Sequence, residues 1–397
     1  MEKKTAKRLW KGALFLFFLV LSLVASGDLV FPDRISRFAG EEVESRLCFS
    51  LEAAAEPAEE NEERGRILAF GILPVKSVAV ESFEKVSLIP GGELFGIRME
   101  IEGLIVSGVG NVEGTDRSPA EEAGIAPGDR ILNVNGISLR GAASFTRMLA
   151  KSGGKAVRLD VEKNGEERSV ILTPAKDPNG VWRAGLWVRE AAAGIGTVTF
   201  TDPASGTFAG LGHGVCDRES GELLPLCRGT ICRANPESVK RATAAEPGEI
   251  RGELTEEAVG AIRANTPTGI YGAAYDADSA GKEAIPIALK GEIKPGKITI
   301  LCQLDETGKQ PYEAVIETIC DRDGETKNFV IRITDEKLLE KTGGIIQGMS
   351  GSPILKDGKL IGAVTHVMLR DPKRGYGIFI ENMLRSAAET QAQAEAA

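Results

Sequence analysis

Ser118-Pro-Ala-Glu-Glu-Ala-Gly-Ile-Ala-Pro-Gly-Asp-Arg-Ile-Leu-Asn-Val-Asn-Gly136 is the stretch on which the reading of the first half of the chain turns. Pro119 suits the first turn of a short helix, which Gly124 can end in the left-handed conformation, and Pro127-Gly128 forms a tight turn. Ile131, Leu132 and Val134 then make a strand closed by the turn dipeptide Asn135-Gly136. Downstream, Ala143 to Lys151 reads as an amphipathic helix with Phe145, Met148 and Leu149 on its apolar side. From Ile67 to about Thr173 the surrounding pattern is short strands punctuated by glycine.

This run closely resembles a PDZ domain of the bacterial protease type. The resemblance implies a peptide groove between the helix bearing Phe145, Met148 and Leu149 and a strand beginning near Phe95-Gly96-Ile97, where backbone amides would receive an extended peptide. Phe95-Gly96-Ile97-Arg98 departs from the Gly-Leu-Gly-Phe loop usual in such domains.

Beyond Asn179 the chain reads as β-rich up to Met383, with Trp182 to Val188, Gly194 to Thr201, Lys297 to Leu304, Glu313 to Ile319 and Asn328 to Ile333 among its strands. Many short strands, glycine turns and few helices predict a barrel or sandwich. Gly348-Met349-Ser350-Gly351-Ser352-Pro353 carries the sharpest chemistry. A serine nucleophile needs its oxygen on a tight turn and two backbone N–H groups aimed at the oxyanion formed on attack. Gly348 has no side chain to block such an amide, and Gly351 lets the chain turn into the strand after Pro353. The expected oxyanion donors are the amides of Gly348 and Ser350.

The serine needs a base, and the chain holds two histidines, His213 and His366. His213, in Gly210-Leu211-Gly212-His213-Gly214, lies 137 positions before Ser350, the chain order of a chymotrypsin-like peptidase, and is the favoured base. His366, in a strand pattern from Ile361 to Met368, reads as a structural residue under the site. For the orienting acid, topology alone nominates Asp217 or Asp276, whereas Asp335, fifteen positions before Ser350, reads as the cap of a short helix ended by Gly343.

The N-terminus predicts export. Lys3, Lys4, Lys7, Arg8 and Lys11 precede an apolar run from Gly12 to Ala25, a signal-peptide core or a short anchor with its basic flank in the cytoplasm. The anchor is the preferred reading, with residues 1–27 as the membrane segment. Residues 28–66 follow as a linker whose Glu52 to Arg66 part is too polar to bury a core. Residues 67–178 are assigned to the PDZ domain, 179–390 to the peptidase domain and 391–397 to a tail. With 42% hydrophobic and 26% charged residues the 397-residue chain is globular, and a net charge of −9 argues against nucleic acid as a partner. Six cysteines without metal-ligand spacing predict neither a zinc site nor any other metal or cofactor. Gly291 to Ile298 imitates a phosphate-binding loop, but Ile298 stands where the magnesium-binding hydroxyl belongs.

Gly348 to Pro353 resembles the Gly-x-Ser-Gly-Gly-Pro element of chymotrypsin-like proteases. Together with Gly212-His213-Gly214, Thr334-Asp335 and the run from Val364 to Gly377, it resembles the stage IV sporulation protein B peptidase family. The resemblance implies a mainly β protein: an N-terminal membrane anchor, a PDZ domain and a chymotrypsin-like double β-barrel serine peptidase. It carries the family's catalytic roles onto His213 as base, Asp335 as orienting acid and Ser350 as nucleophile. It further implies an enzyme in the space between forespore and mother-cell membranes that cleaves itself with the help of its PDZ domain. Its other substrate would be a membrane-bound regulator of an intramembrane protease, so that a late mother-cell sigma factor becomes active. Two competing readings are a PDZ scaffold with an inactive peptidase-like half and a serine hydrolase acting on esters. The latter lacks the Gly-x-Ser-x-Gly strand-to-helix context.

Overall fold

A computed structural model describes residues 31–41, 49–57, 63–218, 220–275, 281–320 and 326–396. The expected membrane segment, Cys48 and Asp276 lie outside them. No helix among the described residues is long and apolar enough to cross a membrane.

The first four strands, β1 (Arg34–Phe38), β2 (Phe49–Pro57), β3 (Glu63–Ala69) and β4 (Leu73–Phe83), form a sheet in the order β1-β4-β3-β2. Part of the expected linker is therefore ordered: Glu52 pairs with Arg66 and Ala53 with Gly65. Polar residues are no obstacle here, because the backbone pairs are made and Ile67, Val78 and Val80 supply a small core.

After β5 (Ser87–Pro90), the 16-residue β6 (Leu94–Val109) leads to α1 (Pro119–Glu122), β7 (Arg130–Val134), β8 (Ile137–Ser138), α2 (Ala142–Ser152), β9 (Val157–Lys163) and β10 (Glu166–Leu172). The hairpin of β11 (Ala175–Lys176) and β12 (Trp182–Arg183) precedes β13 (Leu186–Thr201), again 16 residues. Then come β14 (Thr207–Gly210), β15 (Leu226–Lys240), β16 (Glu249–Thr266), β17 (Gly269–Ala274) and β18 (Ile285–Pro286). The strand order β6-β15-β16-β17-β14-β13, with β13 pairing back onto β6, closes a first barrel. A second closed barrel, β19-β20-β21-β24-β23-β22, comprises β19 (Gly296–Gln303), β20 (Lys309–Ile319), β21 (Phe329–Ile333), β22 (Pro353–Lys356), β23 (Lys359–Met368) and β24 (Asp371–Phe379). Between β21 and β22 lies α3 (Glu336–Thr342), and α4 (Ile380–Ala396) ends the described chain. The protein is mainly β; where the strand pattern predicts a barrel or sandwich it has two barrels, as the family resemblance implies.

The order of domains differs from the expected succession. The core of the PDZ unit runs from Leu104 and Val106 through Ile131, Phe145, Leu149 and Leu159 to Ala184. The first half of β6 and the second half of β13 belong to the first barrel, while their other halves pair beside the PDZ unit, Val109 with Leu186 and Ile105 with Arg189. The PDZ unit is thus inserted into the first barrel through two strands long enough to serve both. Ile67–Ala69 and β4, assigned to it from sequence, belong to the N-terminal sheet.

Candidate active site

The base stands on a turn that leaves the first barrel after β14. Leu211 and Gly212 both adopt left-handed backbone, with φ of 70° and 68°. For leucine this conformation is costly, and burial of its side chain in the first barrel's core holds it there. A Cβ on Gly212 would meet Thr365 Cγ2 at 2.9 Å and Ile378 Cγ2 at 3.1 Å, so the turn presses His213 against strands β23 and β24 of the second barrel. His213 Nδ1 lies 2.9 Å from the Gly214 carbonyl oxygen. A carbonyl only accepts, so Nδ1 carries the proton and Nε2 keeps a lone pair, the tautomer a general base requires. Burial pushes the His213 pKa below its ordinary value, against a smaller opposite effect from that hydrogen bond.

The nucleophile loop is tied to the middle of β13. Thr197 donates its N–H to the Ser350 carbonyl at 2.9 Å and its Oγ1–H to the Gly348 carbonyl at 2.7 Å; Thr199 Oγ1 donates to the Gly351 carbonyl at 2.8 Å. With three carbonyls so engaged, the amides of Gly348 and Ser350 are left over: among the described residues neither donates to a protein acceptor. They are the donors expected for an oxyanion. At Gly351, φ 94°, a Cβ would lie 2.0 Å from the Thr197 oxygen, so only glycine allows the loop to sit this close to β13.

Ser350 is half-buried and its Oγ donates to the Thr365 carbonyl at 2.8 Å. No hydrogen bond joins it to His213 in this conformation, although the two loops share Thr197 and Thr365 as neighbours. Attack therefore requires the serine side chain to turn away from Thr365. The same strand contributes what the sequence reading left aside. The β23–β24 register shifts between Val364 and Val367. At this irregularity Thr365 offers its carbonyl to Ser350, and the His366 ring lies against His213 with centroids 4.9 Å apart. Strand alternation placed His366 in a strand; the bulge that brings it to the base leaves no mark in the local sequence.

The acids fall elsewhere. Asp335 caps α3: its carboxylate accepts from the Leu338 amide at 2.9 Å and the Glu313 amide at 3.3 Å, and it is hydrogen-bonded to neither histidine. Asp217, one of the two topological candidates, is buried and paired with Arg189 at 3.0 Å. The expected peptide groove also needs correcting. Phe95, Gly96 and Ile97 pair on one side with Gly196, Ile195 and Gly194 and on the other with Arg233, Cys232 and Ile231. Their backbone is consumed inside the first barrel and presents no edge to a peptide. Phe145 and Leu149 are buried in the PDZ core, with Met148 half-buried against it. The strand beside α2 is the first half of β13, where Glu190 accepts from the Ala142 amide at the helix N-terminus. Among the described residues, Leu186 to Ala193 have a strand partner on one edge only.

Comparison with known proteins agrees with this division. The regulator of sigma E protease of Haemophilus influenzae is 29% identical over 137 residues, which is 34% of this chain and 28% of that protein. A probable protease, eep, of Enterococcus faecalis is 34% identical over 58 residues, 15% of this chain and 14% of that protein. The matches thus span less than a third of either relative's length. Among solved structures, the HtrA-type protease AlgW with a decapeptide superposes with a TM-score of 0.32 at 14% identity, covering 55% of this chain and 58% of that one. The active form of the Rv3671c protease from M. tuberculosis gives 0.30 at 14% identity, covering 50% and 74%. The PDZ domain model matches residues 112–163, inside the inserted unit, and the SpoIVB peptidase S55 model matches residues 180–384. Matched over more than half its length, this chain belongs to the SpoIVB peptidase family S55, a family of serine peptidases, and carries a PDZ domain within it.

Proposed function

We propose that this peptidase is an extracytoplasmic serine endopeptidase that cleaves itself and a membrane-bound regulator of an intramembrane protease during sporulation, upstream of a late mother-cell sigma factor. The observation that carries the chemical part is the pair of unspent amides at Gly348 and Ser350, beside a histidine whose Nδ1 proton is held by Gly214. After Ser350 swings from Thr365 toward His213, its oxygen bonds to the peptide carbonyl carbon as its proton passes to Nε2. The carbonyl's π electrons move onto the oxygen held by the two amides. The imidazolium then gives the proton to the departing amine as the C–N bond breaks. Water, deprotonated by the same nitrogen, releases the acyl group.

Asp335 is the acid that the family resemblance nominates; in this conformation its carboxylate caps α3. The apolar N-terminal run supports membrane anchorage and work outside the cytoplasm. The one-sided edge of β13 beside α2, rather than Phe95 to Ile97, is where an extended segment of this chain or of its target would add as a strand.

Mass spectrometry of the purified full chain tests the activity. Self-cleavage products are expected from the native protein and absent from Ser350→Ala, with unchanged folding by circular dichroism; persistent cleavage in that variant removes Ser350 from the role. A second reading, a binding scaffold with an inactive peptidase half, is favoured by the Ser350 hydroxyl lying on Thr365 instead of His213. It requires that Ser350 resist a fluorophosphonate probe.

A further inference from the structure

The hairpin that joins β3 to β4 carries a residue its own fold does not favour. The turn is closed by the Ile72 amide, which donates to the Ala69 carbonyl at 3.2 Å, and its central residues Phe70 and Gly71 have φ of 55° and 69°. Left-handed backbone at both central positions suits Asn-Gly, and a bulky aromatic in the first of them is strained. Among the described residues Leu211 is the other bulky side chain held this way, and its burial offsets the strain. Phe70 has no such offset: it is 65% exposed, and Ile72 beside it is 84% exposed. The nine residues from Ile67 to Val75 carry no charge, in a chain that is 26% charged. Lys76, the first cation after them, is turned onto the Phe31 carbonyl at 2.7 Å and Asp33 at 2.8 Å.

The chain enters the sheet at this same end. β1 runs parallel to β4, so its first residues lie toward the start of β4. The Phe31 ring packs edge-on to Phe49 at 4.8 Å, and Phe49 pairs with Ala69, the last residue before the turn. The apolar run read as the membrane segment ends at Ala25, six residues before Phe31 and so no more than about 20 Å from it. The sheet is also fastened to the peptidase. Ser36 Oγ and the Lys290 amide donate to the buried Glu381 carboxylate at 2.7 and 2.8 Å, and Arg385 pairs with Glu81 at 2.5 Å.

We propose that Phe70 and Ile72 dip into the headgroup–acyl boundary of the lipid bilayer, as a second membrane contact beside the anchor. The proposal rests on the membrane anchorage proposed above. Exposed apolar side chains gain by leaving water, and a contact tethered this close to an anchor needs little affinity of its own. The strain at Phe70 is then offset by lipid instead of by a protein core. Because β1 and β4 are bonded to α4, the contact holds the peptidase itself at the membrane surface.

The test uses the full chain reconstituted into phosphatidylcholine–phosphatidylglycerol vesicles whose acyl chains are brominated near the headgroup. Ile72→Trp places an indole at the tip, and its emission is read as the difference from the unaltered chain. Loss of that emission, with a blue shift against unbrominated vesicles, is expected. The same substitution at the exposed Ile171 of the PDZ unit should show neither. Phe70→Asn, which suits the turn, should raise Tm while weakening the quenching at position 72. Vesicles that float without the unaltered chain overturn the anchorage and the proposal together. A chain that floats while the indole at position 72 stays unquenched overturns the lipid contact alone and leaves the tip to a protein partner. Equal quenching at positions 72 and 171 means general adsorption, and a lower Tm in Phe70→Asn means that the phenyl ring serves the fold; either result also overturns the proposal.

Discussion

The two barrels differ in how they are assembled. The second is one run of chain, Gly296–Phe379, with Ile300, Cys302, Phe329, Ile331, Ile354 and Val364 essentially sealed from solvent. The first is interrupted: β6 leaves it, a whole PDZ unit intervenes, and β13 returns. Each barrel contributes one catalytic element, the base from the first and the nucleophile loop from the second, and the loop is bonded to β13 of the first. The contrast teaches that the continuous barrel supplies rigidity, while the interrupted one supplies a path. β13 begins beside the α2 groove, passes the Arg189–Asp217 pair just beyond His213, and ends holding Gly348, Ser350 and Gly351.

That contrast can be broken most forcefully in the second barrel. Phe329, packed edge-on to Phe379 at 5.2 Å and against Gly362 and Gly377, has no exposure. Phe329→Ala should cost about 3–5 kcal/mol in chemical denaturation. A loss below about 1 kcal/mol would mean that this barrel is not the rigid half. The link between barrels comes next. Thr197→Val leaves the buried Gly348 carbonyl without its 2.7 Å donor and should cost about 1–3 kcal/mol of stability, with a fall in kcat for the molecules that remain folded. Unchanged kcat would show that β13 merely touches the loop.

Acid should act on the seam. Both histidines have pKa values lowered by burial in the folded protein, so the unfolded chain binds more protons. Their stabilising contribution is complete above about 6.5 and is lost as pH falls below it, that of His366 as pH approaches about 4. Thermal melts from pH 7.5 to 4 should show this decline, and it should be shallower in His366→Phe. The smallest effect is expected at Asp335. As a cap, its replacement by alanine costs about 1 kcal/mol and modestly loosens α3. A fall in kcat of about 10⁴ at unchanged stability would instead show that the cap opens and the carboxylate reaches His213.

Much of this was legible along the chain. Pro119, Gly124 and the Asn135-Gly136 turn marked the PDZ unit, because backbone conformations at helix starts, helix ends and tight turns admit few residue types. Gly348 and Gly351 marked the nucleophile loop for the same reason, and Asp335 and Gly343 the two ends of α3. The groove at Phe95 to Ile97 was misplaced because a doubly paired central strand and a groove-edge strand read alike when both are short, apolar and glycine-containing. The contact of His366 with His213 leaves no local mark, because the two lie 153 positions apart in sequence.

By itself the sequence determined what local chemistry dictates: turns that need glycine, a helix cap, alternating strands, a serine between small residues and the scarcity of histidine. The tertiary structure alone decided which strand edges remain unpaired, that the PDZ unit interrupts a barrel, and that a bulge in β23 brings the second histidine to the first. Pairing partners and bulge positions follow from long-range closure of the sheets, where many registers are locally acceptable and only burial of the whole core selects one.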